Sequence, residues 1–272
     1  MSRRGAKSKS IAGAADADAG YVLRSQQPLE ILFFLLPLVL FYEIGLLSIL
    51  RFEGMVLDNK AHDAIRRVFD AVGIDASAMS LPVLSLPGIL LVVILLVWQA
   101  LSRRRWQVDL RTVGLMALES ALLAVPLVVL AQLVVQAFAS GVPAASAAAA
   151  AAAPVSLAEL PVLGRLAVSI GAGLYEELIF RMALIAVLHT LLVDLLRWKE
   201  GPAITVSVLL AAVAFAVYHP LRDATGAIDW PKAVAYLVIG AYFGAVFAFR
   251  GFGIVVGVHA AYDIAVLLMP RE

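Results

Sequence analysis

The segment LYEELIFR carries Glu176, Glu177 and Arg181, three ionisable side chains within six positions of an otherwise apolar run from 162 to 196. At mid-bilayer each costs roughly 2.5–3.5 kcal/mol on insertion scales, about 8–10 kcal/mol for all three, which rivals the net stability of a whole protein. Residues this costly require a partner or a purpose, and they are expected to face away from lipid. Glu177 and Arg181 stand four apart, on one helical face at ion-pairing distance. Glu176 points about 100° further round. Held toward a cavity, one such carboxylate is a candidate general base. The bland alternative, an ion pair that only holds helices together, accounts for Glu177 and Arg181 but leaves Glu176 without a partner.

Two later runs supply groups that could share that cavity. The fifth apolar run ends in FAVYHP, with Phe215 and His219 four apart, and the seventh holds HAAYD, with His259 and Asp263 four apart. That spacing places each pair on one helical face. A single His in an apolar helix is more often a packed, hydrogen-bonded residue. Two on separate helices, with a Glu pair on a third, are satisfied together by one cavity. Such a cavity suits acid–base work on water. It equally suits a His-His-Glu metal set of Glu176, His219 and His259 holding a divalent ion such as zinc with an open position, or the proton relay of a carrier.

The elements that must position these groups are membrane spans. Of 272 residues, 62% are hydrophobic and only 15% charged, against about 25% charged in soluble domains. A soluble globule of this size has too little interior to hide so much apolar side chain. The 21 basic and 20 acidic residues nearly cancel, which weighs against an electrostatic nucleic-acid binder, and the absence of Cys removes disulfides, thiol nucleophiles and thiolate metal sites. Runs near 29–50, 82–101, 113–139, 162–196, 202–219, 232–249 and 252–269 are each long enough to cross a bilayer. The expected fold is therefore an all-α polytopic bundle of about seven spans, the last four forming a C-terminal core. Its parts are a disordered tail over 1–28, N-terminal spans and loops over 29–160, and the core over 161–272. The Ala147–Ala153 run between Pro143 and Pro154 reads as a loop or short spacer, and 51–80 as a charged amphipathic loop. Basic residues on alternate sides number twelve against seven with the N-terminus inside, which predicts a multi-pass protein of a plasma (inner) membrane with a cytoplasmic N-terminus. At about 51 Å as a straight helix, the fourth run exceeds the roughly 30 Å hydrocarbon core. Gly171 and Gly173 are where it is expected to bend or be closely approached, bringing Glu176 level with His219.

LYEELIFR, FAVYH and HAAYD, in this order on three spans with a further span between the second and third, resemble the EExxxR, FxxxH and HxxxN/D motifs of the CPBP family. This family comprises the CAAX proteases, including the Rce1 prenyl-protein protease, and the bacteriocin-processing or Abi proteins. The resemblance covers roughly 162–269, and it implies that the C-terminal four-helix core is the catalytic one. It implies a glutamate-dependent intramembrane endopeptidase with a membrane-associated peptide or protein substrate and no cofactor. Matched motif to motif, Glu176 is the base, His219 helps polarise water, and His259 with residue 263 forms the oxyanion site. Glu177, Arg181 and Phe215 are their structural partners. A metal-dependent version of the protease would use Glu176, His219 and His259 as ligands. At 263 the chain has Asp, and an ionised Asp cannot donate to an oxyanion as Asn can. Either Asp263 is protonated, or it orients His259 as a carboxylate partner; the second is expected. A polytopic transporter and a non-catalytic membrane scaffold are the readings from other classes.

Some polar residues read as background. His189 is expected to be structural or interfacial, and Asp194 to pair with Arg197. Glu43 and Glu119, inside apolar spans, are expected either to pair with a neighbouring helix or to line a substrate cavity. Trp98, Trp106, Trp198 and Trp230 mark span ends. The Arg103–Arg105 cluster is explained by topology and headgroup contacts.

Overall fold

The computed structural model describes residues 20–48, 60–73, 86–139, 161–223 and 225–268. The expectations for the tail over 1–19 and for the alanine-rich stretch fall outside these residues. The described chain is an all-α polytopic bundle. Its helices are α1 (Tyr21–Ser25), α2 (Pro28–Ser48), α3 (Lys60–Ala71), α4 (Leu86–Ser102), α5 (Leu110–Ala139), α6 (Val162–Leu195), α7 (Glu200–Tyr218), α8 (Trp230–Arg250) and α9 (Phe252–Leu268). Each of the seven apolar runs forms a helix. Five of them (α2, α5, α6, α7 and α8) are long and apolar enough to cross a membrane, while α4 and α9 are shorter apolar helices.

Two predicted irregular segments are helical. The tail expected over 1–28 contains α1, whose Tyr21 hydroxyl donates to Glu119 and whose Arg24 pairs with Asp109. The loop expected over 51–80 contains α3, KAHDAIRRVFDA, whose apolar positions recur at helical spacing and bury Ala61 and Ile65. The charges that suggested a loop lie on one face of this amphipathic helix.

Helix α6 holds the glutamate pair, and its path departs from a regular α-helix beyond the glycines. Residues Leu178–Ile185 and Leu191–Leu195 are π-helical, a widening that in short pieces is common at functional sites. Gly171 and Gly173 serve close approach instead. A Cβ at Gly171 would sit 2.1 Å from the Tyr42 ring, and one at Gly173 would meet the Ala260 nitrogen at 2.9 Å. The missing side chain at Gly173 lets α9 lie against α6, one turn before Glu176 and Glu177. At the far end of α8, Gly251 takes φ 84°, a left-handed conformation that permits the abrupt turn into α9.

Polar groups inside the other spans are paired between helices. Glu43 of α2, 2% exposed, accepts a 2.9 Å hydrogen bond from Tyr175 of α6. Glu119 of α5 pairs with Arg250 of α8 and also accepts from Tyr21. Both follow the pairing expectation rather than the cavity-lining one. Among the described residues no ion pair joins Asp194 to Arg197, because Arg197 takes φ 56° and leaves the helical path on which the i,i+3 contact depends. The four tryptophans are all well exposed.

Candidate active site

Glu176 and Glu177 end the regular part of α6 and are almost fully enclosed, at 7% and 0% exposure. Their side chains diverge, as consecutive positions on a helix must. The Glu177 carboxylate turns to Arg181, whose Nη1 lies 3.0 Å from Oε1 at the i,i+4 spacing. Arg181, itself 0% exposed, donates from Nη2 to the Gly240 carbonyl of α8 at 3.1 Å, and its Cζ lies 4.5 Å from the Phe215 ring centroid. These contacts replace the water that a buried guanidinium loses. The same Glu177 oxygen also stands 2.7 Å from His259 Nδ1. Glu177 is thus the partner of an arginine on its own helix and of a histidine on α9.

His219 is placed by local chain chemistry. It precedes Pro220, and the residue before proline is sterically pushed out of the α region. It takes φ −84°, ψ 158°, ending α7. Its Nδ1 stands 2.8 Å from the Phe215 carbonyl, one of the orphan acceptors of the last turn. A carbonyl oxygen only accepts, so Nδ1 carries the proton and donates, leaving Nε2 as a bare acceptor when the ring is neutral. This gives the F-x-x-x-H spacing a physical reason: Phe215 supplies both the aromatic face under Arg181 and the carbonyl that sets the His219 tautomer.

All the motif residues converge. Glu176 Oε2 lies 3.7 Å from His219 Nε2 and 4.0 Å from His259 Nε2, while His259 Nε2 lies 3.5 Å from Asp263 Oδ2. Glu176 Oε2 is buried and accepts no hydrogen bond from any described residue. Both imidazoles are clamped by rings from α8: His219 stacks on Tyr236 at 4.1 Å between centroids, and His259 on Phe243 at 4.4 Å, each pair tilted by 22°. Exposure decreases from Asp263 and His219 (25% and 17% of the side chain) to Glu176 (9%) and His259 (4%), so the cluster is open on one side and sealed on the other.

Two features differ from the sequence expectation. The carboxylate that orients His259 through Nδ1 is Glu177, with Asp263 beside the opposite nitrogen. Tyr236 and Phe243 were not singled out, although Tyr236 brings a polar tip into an apolar span, the one signal that pointed to it. His189 lies 13 residues beyond Glu176 on α6, away from the cluster. The donor chemistry of Glu176, His219 and His259 is that of a zinc set. Yet among the described residues no group of three or more His, Asp or Glu side chains is arranged to hold a metal ion. The 3.7 and 4.0 Å separations exceed the roughly 3.3 Å between tetrahedral ligands about 2.0–2.1 Å from zinc. The residues as arranged do not form a metal set.

Residues 158–265 match the family model of Rce1-like type II CAAX prenyl endopeptidases. Over this segment, less than half of the 272-residue chain, the protein is similar to the CAAX proteases. The matched segment takes in α6 to α8 and most of α9, and it contains every residue of the cluster. The matched segment lies in a chain with five helices long and apolar enough to cross a membrane. No curated protein and no solved structure matches the chain.

Proposed function

We propose that this protein is an integral membrane peptidase of the CAAX type, a glutamate-dependent intramembrane endopeptidase in which Glu176 is the general base, His219 shares the attacking water, and His259 stabilises the oxyanion. The observation that carries the reading is the position of Glu176 Oε2, a buried acceptor with no donor, facing two imidazole Nε2 atoms just beyond hydrogen-bond distance. With Nδ1–H committed to Phe215, His219 Nε2 is also an acceptor. A water between the two donates one proton to each and keeps a lone pair free for attack. No cofactor is required.

Attack forms the new C–O bond as the carbonyl π electrons move onto oxygen, and Glu176 takes a proton from the water. The oxyanion accepts from His259 Nε2–H. Because Nδ1–H already serves Glu177, that donor requires the doubly protonated ring, for which Glu177 at 2.7 Å and Asp263 at 3.5 Å supply the counter-charge. Collapse breaks the C–N bond, and the leaving nitrogen takes the proton held by Glu176. The products are a carboxylic acid and an amine, with water consumed, and the acid then gives up its proton to leave a carboxylate and an ammonium.

The substrate we propose is a membrane-tethered peptide cleaved near or within the bilayer, in a plasma membrane with the N-terminus cytoplasmic, as the distribution of basic residues supports. The test compares wild type with Glu176→Gln on prenylated and unmodified tethered peptides, reading products by mass spectrometry with and without exhaustive chelation. We expect wild-type cleavage that survives chelation and falls by about 10²–10⁴-fold in the variant. Loss of activity on chelation moves the reading to a metal-dependent protease. Equal product from both proteins would remove Glu176 from the chemistry.

A further inference from the structure

Away from the cluster, α1, the start of α2 and the loop joining α4 to α5 enclose a cavity of about 190 Å³ lined by Arg24, Gln27, Glu30, Arg105, Gln107 and Asp109. It sits where helices begin and end, beside the exposed Trp106, and span ends with tryptophan are where lipid headgroups are expected. Its charges divide unequally between occupied and available groups. Arg24 Nη1 and Asp109 Oδ2 form an ion pair at 3.0 Å, and Asp109 also accepts from the Thr112 hydroxyl and the Arg111 backbone N–H. One cation and one anion remain. Arg105 makes no ion pair among the described residues, and Glu30, only 3% exposed, has a buried Oε2 that no described donor reaches.

A wall that offers one carboxylate and one guanidinium is complementary to a ligand carrying both signs a short distance apart. We infer that this cavity binds the headgroup of a zwitterionic phospholipid with a primary amine, phosphatidylethanolamine, its ammonium on Glu30 and its phosphate on Arg105. The ammonium supplies the N–H donor that Glu30 Oε2 lacks, and the guanidinium fork matches phosphate oxygens. A choline headgroup has no N–H for Glu30 and is recognised by aromatic cages, of which the lining has no member. A glycerol headgroup carries the phosphate without the cation. Neither Glu30 nor Arg105 touches the peptidase cluster, so lipid binding and proteolysis are separable.

Native mass spectrometry of the full chain in detergent, with phosphatidylethanolamine, phosphatidylcholine and phosphatidylglycerol of identical acyl chains at equal concentration, tests this. We expect the ethanolamine lipid to be retained about tenfold over the choline lipid, as one charge-assisted hydrogen bond implies. Glu30→Gln and Arg105→Gln should each erase that preference. Arg105 is exposed on a loop, so its variant keeps the test independent of folding. Equal retention of ethanolamine and choline lipids by the wild type, or a preference unchanged in both variants, overturns the inference. Displacement of the lipid by soluble phosphoethanolamine at equal concentration overturns it too, since the ligand is then a free metabolite.

Discussion

Replacing Glu177 by Gln separates the fold from the chemistry, because one carboxylate oxygen serves both. Oε1 stands 3.0 Å from Arg181 Nη1 and 2.7 Å from His259 Nδ1, and both Glu177 and Arg181 are fully enclosed. Removing one partner of a buried ion pair costs about 3–5 kcal/mol. Arg181 keeps the Gly240 carbonyl at 3.1 Å and the Phe215 face at 4.5 Å, and glutamine retains an acceptor oxygen. The loss therefore belongs at the lower end, about 3 kcal/mol, which lowers the melting midpoint by about 6–12 °C for a chain of this size. Cleavage falls by at least about a hundredfold, since His259 loses the charge that orients it. Adding Arg181→Met removes the stranded cation. With both charges of the buried pair gone no uncompensated charge is left, so the double variant should melt within a few degrees of the wild type while its cleavage stays low. The midpoint is read by thermal size-exclusion of the full chain in one detergent, and activity by mass spectrometry of a tethered peptide. A Glu177→Gln midpoint within about 2 °C of wild type, or cleavage regained in the double variant, refutes the shared-carboxylate reasoning.

Three further outcomes are expected. Asp263→Asn should lower kcat for peptide cleavage about tenfold by removing one counter-charge from His259; activity retained or raised would show that no carboxylate is needed there. Tyr236→Leu removes the ring stacked on His219, and should cost roughly 3–10-fold in kcat, whereas Tyr236→Phe keeps the stack and should retain wild-type kcat; equal losses in both would point to the hydroxyl. Outside the spans, the Thr112 hydroxyl above all, with the Arg111 backbone N–H and Arg24, holds the Asp109 carboxyl below its usual range. A depressed folded-state value stabilises above the unfolded pKa of about 3.9, and that contribution is lost as pH falls through the folded value. Asp109→Asn should therefore lower the melting midpoint at pH 7, with the gap from wild type closing below about pH 4; a gap that widens on acidification contradicts this.

The chemistry was more legible than the path of the chain. Glu176, Glu177, Arg181, His219, His259 and Asp263 stood out because ionisable groups are costly in apolar helices, and four-residue spacings put them on common faces. The i,i+4 geometry identified the Glu177–Arg181 pair directly. It was silent on the bond from Glu177 to His259, which joins α6 to α9 and depends on how closely Gly173 lets the two approach. Tyr236 and Phe243 act through ring orientation, a property that spacing in a hydrophobic run does not encode. The π-helical path after Glu177 lies against α7 and has no marker in the apolar run that forms it, and Arg197 leaves its helix through a backbone angle that no residue type there demands. Helix α3 was hidden because charge density was read before periodicity.

The polar bonds between the early and late spans also decide how the polypeptide can be divided. The family match begins at residue 158, but the bonds within lipid cross that boundary: Glu43 and Glu119 lie before it, Tyr175 and Arg250 after it. A chain cut between α5 and α6 parts Glu43 from Tyr175 and Glu119 from Arg250, while Glu119 keeps the Tyr21 hydroxyl of its own fragment. Alone, either fragment lacks the bonds that join it to the other. Co-expressed, the two hold complementary halves of the same bonds, so the bundle should reassemble as a split protein whose activity reports on whether its halves have met.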